Sequence, residues 1–545
     1  MKASFKKILS VFMAAVIAAS AFFAFSVSSF AEYKGKVPII FIHGQGAPLG
    51  IPNEDGSFTE ITYKIDKNKL VEAALENKNV FFKAFFTQDW TDFCDLIVDT
   101  MTDAFSEFAL DKNGEPYDNS TVAWRPTEAS IRNNWLKKNL GLDTFRFDYD
   151  WRLDPLENMD ELENYIDMVL KVTGSEKYAI CGRCEGACMI LQYLEYYKET
   201  HGGEYDNRIT DIVMYSSAAL GASPIGEAFA GKLYVNSDAV ERYIYDNDFG
   251  INKPIVGSFA ITDEALRKIV TVISDTYGLD LACWAVNNVY AQIYVNIVPE
   301  TLRNSYATFP GYWTMVADEY YDEAKKNVFG GKEDEYSVMI EKLDRYHYDI
   351  MNKSEQIIKE AQSHGIEVSN IVKYGFAIHP VIENCDVQSD KICSVKNAGW
   401  GVNSVDLGKT FDKSYTDKAK SKGTDKYISP DLCIDASTTW LKDTTWFVKN
   451  LAHKSFPESA NDIIFEIVNT DGMDINTNPG YPQYIFYDEE ADGLVPFNPE
   501  VHKTRLDNYY SGAGSSFFKK IKPGFRFLFT ALTFIINFLM PPVKS

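Results

Sequence analysis

Apolar residues in this chain fall in short runs that alternate with stretches of helical spacing. Val37-Pro38-Ile39-Ile40-Phe41-Ile42 is a continuous apolar run, the pattern of a strand buried on both faces of a parallel sheet. It gives way to a glycine-rich turn, His43-Gly44-Gln45-Gly46. After a long insertion, Thr144-Phe145-Arg146-Phe147-Asp148-Tyr149 alternates as a second strand and runs into Asp150-Trp151-Arg152. Leu156, Met159, Leu162, Ile166, Val169 and Leu170 repeat along one helical face over residues 156–173, with Gly174 as the stop. Tyr178-Ala179-Ile180-Cys181 is a third strand, followed by a helix from Ala187, and Ile209 to Tyr215 is a fourth strand. This alternation predicts an α/β fold built on a doubly wound, mainly parallel sheet.

Residues 225–365 break the rhythm. They are rich in aromatic side chains and in charged helical stretches such as Glu319 to Asn327 and Asp334 to Lys359, with no strand series. An inserted helical cap is the expectation. Strand patterns resume at Asn370 to Ile378, Thr445 to Asn450 and Tyr484 to Tyr487, with a helix at about Ala460 to Val468. The organisation read from the pattern is a leader at 1–31, a core in two parts at 32–224 and 366–511, the cap at 225–365, and a C-terminal extension at 512–545.

Composition narrows the class. A chain of 545 residues with 46% hydrophobic and 14% aromatic content can bury a large core. Lys2, Lys6 and Lys7, the apolar stretch Ile8 to Phe25, and Ser29-Phe30-Ala31 have the layout of a secretory signal, which implies a secreted or cell-surface protein; an uncleaved membrane helix is the alternative. Losing three lysines and no acids moves the formal net charge from -23 to -26. So acidic a protein repels nucleic acid, and no nucleic-acid partner is expected. Eight cysteines are too few for a disulfide scaffold, and Cys181-x-x-Cys184 lacks the second pair of a zinc site, so no metal or cofactor is expected. The apolar segment 525–540, flanked by Lys519, Lys520, Lys522 and Lys544, is short of the roughly 20 residues a spanning helix needs. It reads as a membrane-associating interfacial helix or as one packed on the protein or a partner.

Candidate chemistry centres on Gly182-Arg183-Cys184-Glu185-Gly186. Glycines two positions either side of a reactive residue, between a strand and a helix, are the layout of a nucleophile elbow. The central residue is cysteine, read as a nucleophile, with a relic or structural thiol as the alternative. The helix start behind Cys184 favours the thiolate. In an enzyme with such an elbow the acid and then the histidine follow in the chain. Asp492, in Asp492-Gly493-Leu494-Val495-Pro496 just past a strand, is the leading acid; Asp386 and Asp390 are alternatives. With Asp492 as acid, His502 is the one histidine left downstream as base, and His453 with Asp390 upstream is the fallback. Backbone N–H groups of Gly44, Gln45 and Glu185 are the expected oxyanion donors. His43, Trp151 and Arg183 are candidate substrate contacts, Trp151 and Arg152 also serving as a brace beside the site.

These residues resemble the α/β-hydrolase superfamily, and within it the lecithin–cholesterol acyltransferase-like lipases. The resemblance is carried by the His43-Gly44 loop, Tyr149-Asp150-Trp151-Arg152, the elbow and Asp492-Gly493-Leu494-Val495-Pro496, and it covers roughly 37–225 and 366–502. It implies ester or acyl-transfer chemistry through a covalent acyl-enzyme on Cys184, with Asp492 and His502 completing the triad. Two features depart from the family: a thiol replaces the serine hydroxyl, and the histidine follows the acid closely. Dienelactone hydrolase-like enzymes use cysteine on this fold. The function expected is a secreted acyl hydrolase or acyltransferase acting on a small or lipid-like acyl ester. A non-catalytic surface-binding protein that retains the fold is the alternative.

Overall fold

The computed structural model describes residues 37–61, 77–87, 89–138, 144–248, 252–256, 259–262, 267 and 278–511. The leader at 1–31 and the apolar segment 525–540 lie outside the described residues. Among the described residues, no helix is long and apolar enough to cross a membrane.

Eight strands make the main sheet: β1 (Ile39–Ile42), β2 (Thr144–Phe147), β3 (Tyr178–Arg183), β4 (Ile209–Tyr215), β5 (Glu367–Tyr374), β6 (Thr445–Lys449), β7 (Tyr484–Asp488) and β8 (Gly493–Pro496). Their order across the sheet is β8-β7-β6-β5-β4-β3-β1-β2. Every pairing is parallel except β7 with β8, so the sheet is mixed but mostly parallel, as the α/β pattern predicts. The apolar runs are continuous because both faces are covered. Ile39, Phe41, Ala179, Cys181, Val213, Tyr215, Ile371 and Trp446 point into one core, closed by helix residues Ile463, Ile464 and Ile467. Ile40, Ile42, Tyr178, Ile180, Ile212 and Met214 point into the larger core on the opposite face. Helices α1 (Met159–Thr173) and α2 (Gly186–Thr200) cover that larger core. Gly174 ends α1 at φ 72°, the left-handed stop expected of it.

The chain leaves β1 for β2 on one side and returns to β3 on the other, so β1 and β3 form a topological switch point. In open α/β sheets the crevice outside the strand ends at such a point takes the ligand. Register makes the crevice narrow: Phe41 pairs with Cys181 and Ile42 with Gly182, which sets His43-Gly44 beside Arg183-Cys184.

Differences from the sequence reading are local. The strand expected at Asn370 to Ile378 begins at Glu367 and stops at Tyr374, where Gly375 turns the chain at φ +99°. The helical stretch Asp334 to Lys359 is three pieces, Ser337–Arg345, a wider π turn at Tyr346–Met351, and Ser354–Ser363. The region expected to lack strands holds an antiparallel hairpin, Asn252–Val256 with Phe259–Thr262, whose strands are too short to leave a periodic signal. Much of the later part of that region packs into the main core rather than standing apart, through Phe309, Trp313, Val316, Phe329, Leu343 and Ile357.

One buried ion pair ties the insertion after β1 to this frame. Arg152 is 0% exposed; its Nη2 lies 2.7 Å from Asp150 Oδ2, and it also donates to Phe108 O, Ser120 O and Ser120 Oγ. Every donor direction is used, so removing the guanidinium strands Asp150 without a counter-charge. Arg152→Ala is therefore expected to lower unfolding free energy by about 3–5 kcal/mol, read from the midpoint of a urea melt at constant slope.

Candidate active site

Cys184 sits on the turn between β3 and α2 with φ +55°, a left-handed backbone that costs a non-glycine residue about 1–3 kcal/mol. Main-chain bonds hold it there: its N–H donates to Tyr215 O at 3.2 Å, and its carbonyl accepts from Ala187 N at 3.1 Å and Ala218 N at 3.2 Å. The flanking glycines are demanded by contact. A Cβ on Gly186 would lie 2.2 Å from Ile42 O, and one on Gly182 would lie 2.5 Å from Gly186 O. Across the crevice, a Cβ on Gly44 would meet Cys184 Cβ at 2.8 Å.

The loops after β5 and β6 bring the partners. Asp390 follows β5 on a tight turn, where its Oδ1 accepts from the N–H groups of Ile392 at 3.1 Å and Cys393 at 2.8 Å. Its Oδ2 lies 2.7 Å from His453 Nδ1, and its carbonyl accepts from His453 N at 2.8 Å. His453 follows β6, is 4% exposed, and stands next to the half-buried Cys184 thiol, near enough for the charges of the two groups to act on each other. Two cations brace the histidine loop. Arg183 Nη2 donates to His453 O at 2.6 Å, and Lys373 Nζ donates to Ser455 O at 2.8 Å.

The electrostatics favour a thiolate–imidazolium pair. A hydrogen bond from Cys393 and the charge of His453 together outweigh burial and hold the Cys184 thiol well below its ordinary range. Burial opposes charge on His453, but Asp390 and the Cys184 thiolate override it and raise the ring to about 9. Asp390 also resists burial and stays below the usual carboxylate range, because His453 and two backbone N–H groups stabilise its anion. Burial and the Arg183 charge push Lys373 down to about 7. Burial, then Arg146 and Arg183, drives His43 to about 4, which keeps that ring neutral.

Cys184, His453 and Asp390 thus bring a thiol, an imidazole and a carboxylate together in series. No protein-family model matches the chain, and no curated protein matches it in sequence.

Of the acid and base candidates, the structure brings the alternatives to the thiol and not the leading pair. Asp492 is an exposed residue at the β7–β8 hairpin tip, bonded to Ser459 Oγ at 2.7 Å and Tyr487 Oη at 2.8 Å. β7 stands four strand spacings from β3, each about 4.8 Å. His502 stacks on Phe486 with ring centroids 4.7 Å apart, and its Nδ1 accepts from Asn498 N. The Asp492-Gly493 signal is therefore that of a hairpin turn. Asp386 is paired with Arg242 at 2.6 Å.

The oxyanion candidates fare differently. The Glu185 N–H points at the Cys184 sulfur, and Gly44 lines the opposite wall with Gln45 beside it. The Glu185 carboxyl is buried and has no well-aligned hydrogen-bond partner among the described residues; burial, then the neighbouring Cys184 charge, raises it well above the usual range. Trp151 does not reach the crevice: it is fully buried, donates from Nε1 to Ala47 O at 3.2 Å, and packs on Phe309 and Tyr312. Arg183 holds the histidine loop, and His43 packs edge-on to Phe41. Asp390, Cys393 and His453 also place metal-ligand atoms within 4.8 Å of one another, but the carboxylate and ring are already bonded to each other.

With His453 removed, the thiol loses its counter-ion. His453→Asn is expected to shift the Cys184 thiolate titration upward, towards the ordinary value of about 8.5, read from the pH dependence of iodoacetamide alkylation at Cys184. An unchanged profile would remove His453 from the ion pair.

Proposed function

We propose that this protein is an acyl hydrolase or acyltransferase of the α/β-hydrolase type that works through a Cys184 acyl-enzyme. The observation that carries the reading is the gathering of Cys184, His453 and Asp390 at the C-terminal ends of β3, β6 and β5, with His453 Nδ1 2.7 Å from Asp390 Oδ2 and the ring beside the thiol. The chain order of nucleophile, acid and base is the one that the elbow and the resemblance imply.

In the proposed reaction the Cys184 thiolate attacks the carbonyl carbon of an ester or thioester. Negative charge collects on the carbonyl oxygen, where the N–H of Glu185 and those of the Gly44–Gln45 loop stabilise it. As the C–O or C–S bond to the leaving group breaks, the His453 imidazolium gives it a proton, and a thioester remains on Cys184. His453, now neutral, takes a proton from water or an alcohol, which attacks the thioester and regenerates the thiolate. Asp390 holds the ring tautomer and stabilises the imidazolium. Arg183 and Lys373 are positioning residues, because they fix the histidine loop and touch neither sulfur nor substrate.

The segment Pro310–Trp313 supports the reading of 225–365 as a cap, since a Cβ on Gly311 would lie 2.1 Å from Trp151 O and 2.8 Å from Glu185 Oε1. Aromatic residues along it favour a lipid-like acyl group, and the leader places the reaction outside the cytoplasm. Membrane association through 525–540 would bring the crevice to such a substrate.

Hydrolysis of an activated thioester or p-nitrophenyl acyl ester, with mass spectrometry of the trapped acyl-enzyme, tests the reading. Cys184→Ala is expected to abolish both signals. His453→Asn and Asp390→Asn should each lower kcat/KM by about 10²–10⁴-fold, while Asp492→Asn and His502→Gln leave it unchanged. Turnover that survives Cys184→Ala would refute the acyl-enzyme. Gly44→Ala, which displaces the oxyanion wall, should lower kcat by about 10²–10³-fold with little change in KM.

A further inference from the structure

Cys393 is a second thiol beside Cys184, and no step of the proposed acyl transfer makes or breaks a bond at its sulfur. It lies on the turn that carries Asp390, its N–H bonded to Asp390 Oδ1 at 2.8 Å, and it is 1% exposed. Its sulfur lies 3.9 Å from Ser216 O, on the segment whose Tyr215 O and Ala218 N bond the main chain of Cys184, and within 4.8 Å of a His453 ring nitrogen, which places it beside the Cys184 thiol. Cys181, on β3 itself, faces the opposite core, and Cys188 points at Thr314 O, 3.8 Å away on the insertion. All eight cysteines are free, among them this pair, and the leader expected at 1–31 would bring them to an oxidising compartment.

A reactive thiolate that is only half-buried and set beside a buried second thiol is the arrangement that turns oxidation into a reversible disulfide. We propose that Cys184 and Cys393 form a reversible intramolecular disulfide by exchange with small aliphatic disulfides, with Cys393 as the resolving thiol, and that this bond switches the site off. The proposal rests on Cys184 being the reactive thiolate of the reading above. In the first step Cys184 attacks one sulfur of the small disulfide RSSR. The S–S bond of RSSR breaks, a Cys184–S–S–R mixed disulfide forms, and RS⁻ leaves. Cys393 then gives its proton to the released thiolate, attacks the Cys184 sulfur, and expels the second RS⁻. The two protein sulfurs lose two electrons in total, and RSSR gains them as two RSH, one protonated by Cys393 and the other by the His453 imidazolium. The product has no nucleophile and draws the Asp390 turn towards β3. Excess small thiol runs both steps backwards.

The test exposes the fully reduced chain to glutathione disulfide, quenches with acid, alkylates the remaining thiols, and maps the peptides by mass. The expected products are a Cys184–Cys393 cross-linked peptide, complete loss of iodoacetamide labelling at Cys184, and recovery of both with dithiothreitol. Cys393→Ser should stop at a stable glutathione adduct on Cys184, whereas Cys188→Ser should cross-link like the wild type. Three outcomes overturn the proposal: a lasting glutathione adduct on wild-type Cys184, a cross-link from Cys184 to another cysteine, or Cys184 left free. Because the cross-link is read by mass without an acyl substrate, it can form in a protein that makes no acyl-enzyme. Failure of acyl transfer and failure of the switch are thus distinguishable.

Discussion

Everything at the centre of this molecule depends on how closely three chain segments approach at the ends of β1 and β3. Cys184 is held in a left-handed conformation, and the atoms that hold it are main-chain groups of β4, of the segment after it, and of α2. Gly182 and Gly186 let the helix start sit directly on Ile42, and Gly44 lets the facing loop touch Cys184. The strain is small beside the packing that enforces it, and it delivers three things at once. The sulfur projects out of the sheet edge, the helix start lies behind it, and the Glu185 N–H points at it.

The second layer of the site is a set of cations used as props. Arg183 and Lys373 would each be costly to bury alone. Both donate to carbonyl oxygens of the loop from 452 to 455, and both lie near the Phe456 ring, with Arg183 at 5.1 Å and Lys373 at 5.9 Å. The histidine loop is thereby fixed from beneath by side chains of β3 and β5, the strands that carry the nucleophile and lead to the acid. Asp390 bonds to His453 twice, once to the ring and once to the main chain, so position and tautomer are set together. The same logic recurs away from the site, where Lys449 is buried between Asp431 at 2.9 Å and Asp507 at 3.0 Å. There it ties the chain after β8 to β6.

Most of the architecture was legible in the sequence because a parallel sheet covered on both faces writes itself as apolar runs. Ile209–Tyr215 is a strand at the bounds its pattern predicts, and the elbow strand, α1 and Gly174 match closely. The small sheet in the insertion, where Leu49–Pro52 pairs with Phe58–Ile61 and Thr121–Val122, left no such trace. Its strands are only two to four residues long and mix buried with part-exposed positions, and hydrophobic period says little about them.

The sequence by itself determined the place of the elbow and of its central thiol, because local sterics allow few residues besides glycine around a left-handed turn between a strand and a helix. It could not choose the acid and the base. Asp390 and Asp492 each follow a strand and each sit in a turn-forming stretch, and the motif around Asp492 was the more conspicuous. Only the strand order separates them. β5 and β6 lie two and three places from the elbow strand, within reach of the thiol, while the Asp492 hairpin stands at the far edge of the sheet. Contact between residues 184, 390, 393 and 453 is a property of strand adjacency and loop closure, and no local pattern of side chains encodes it.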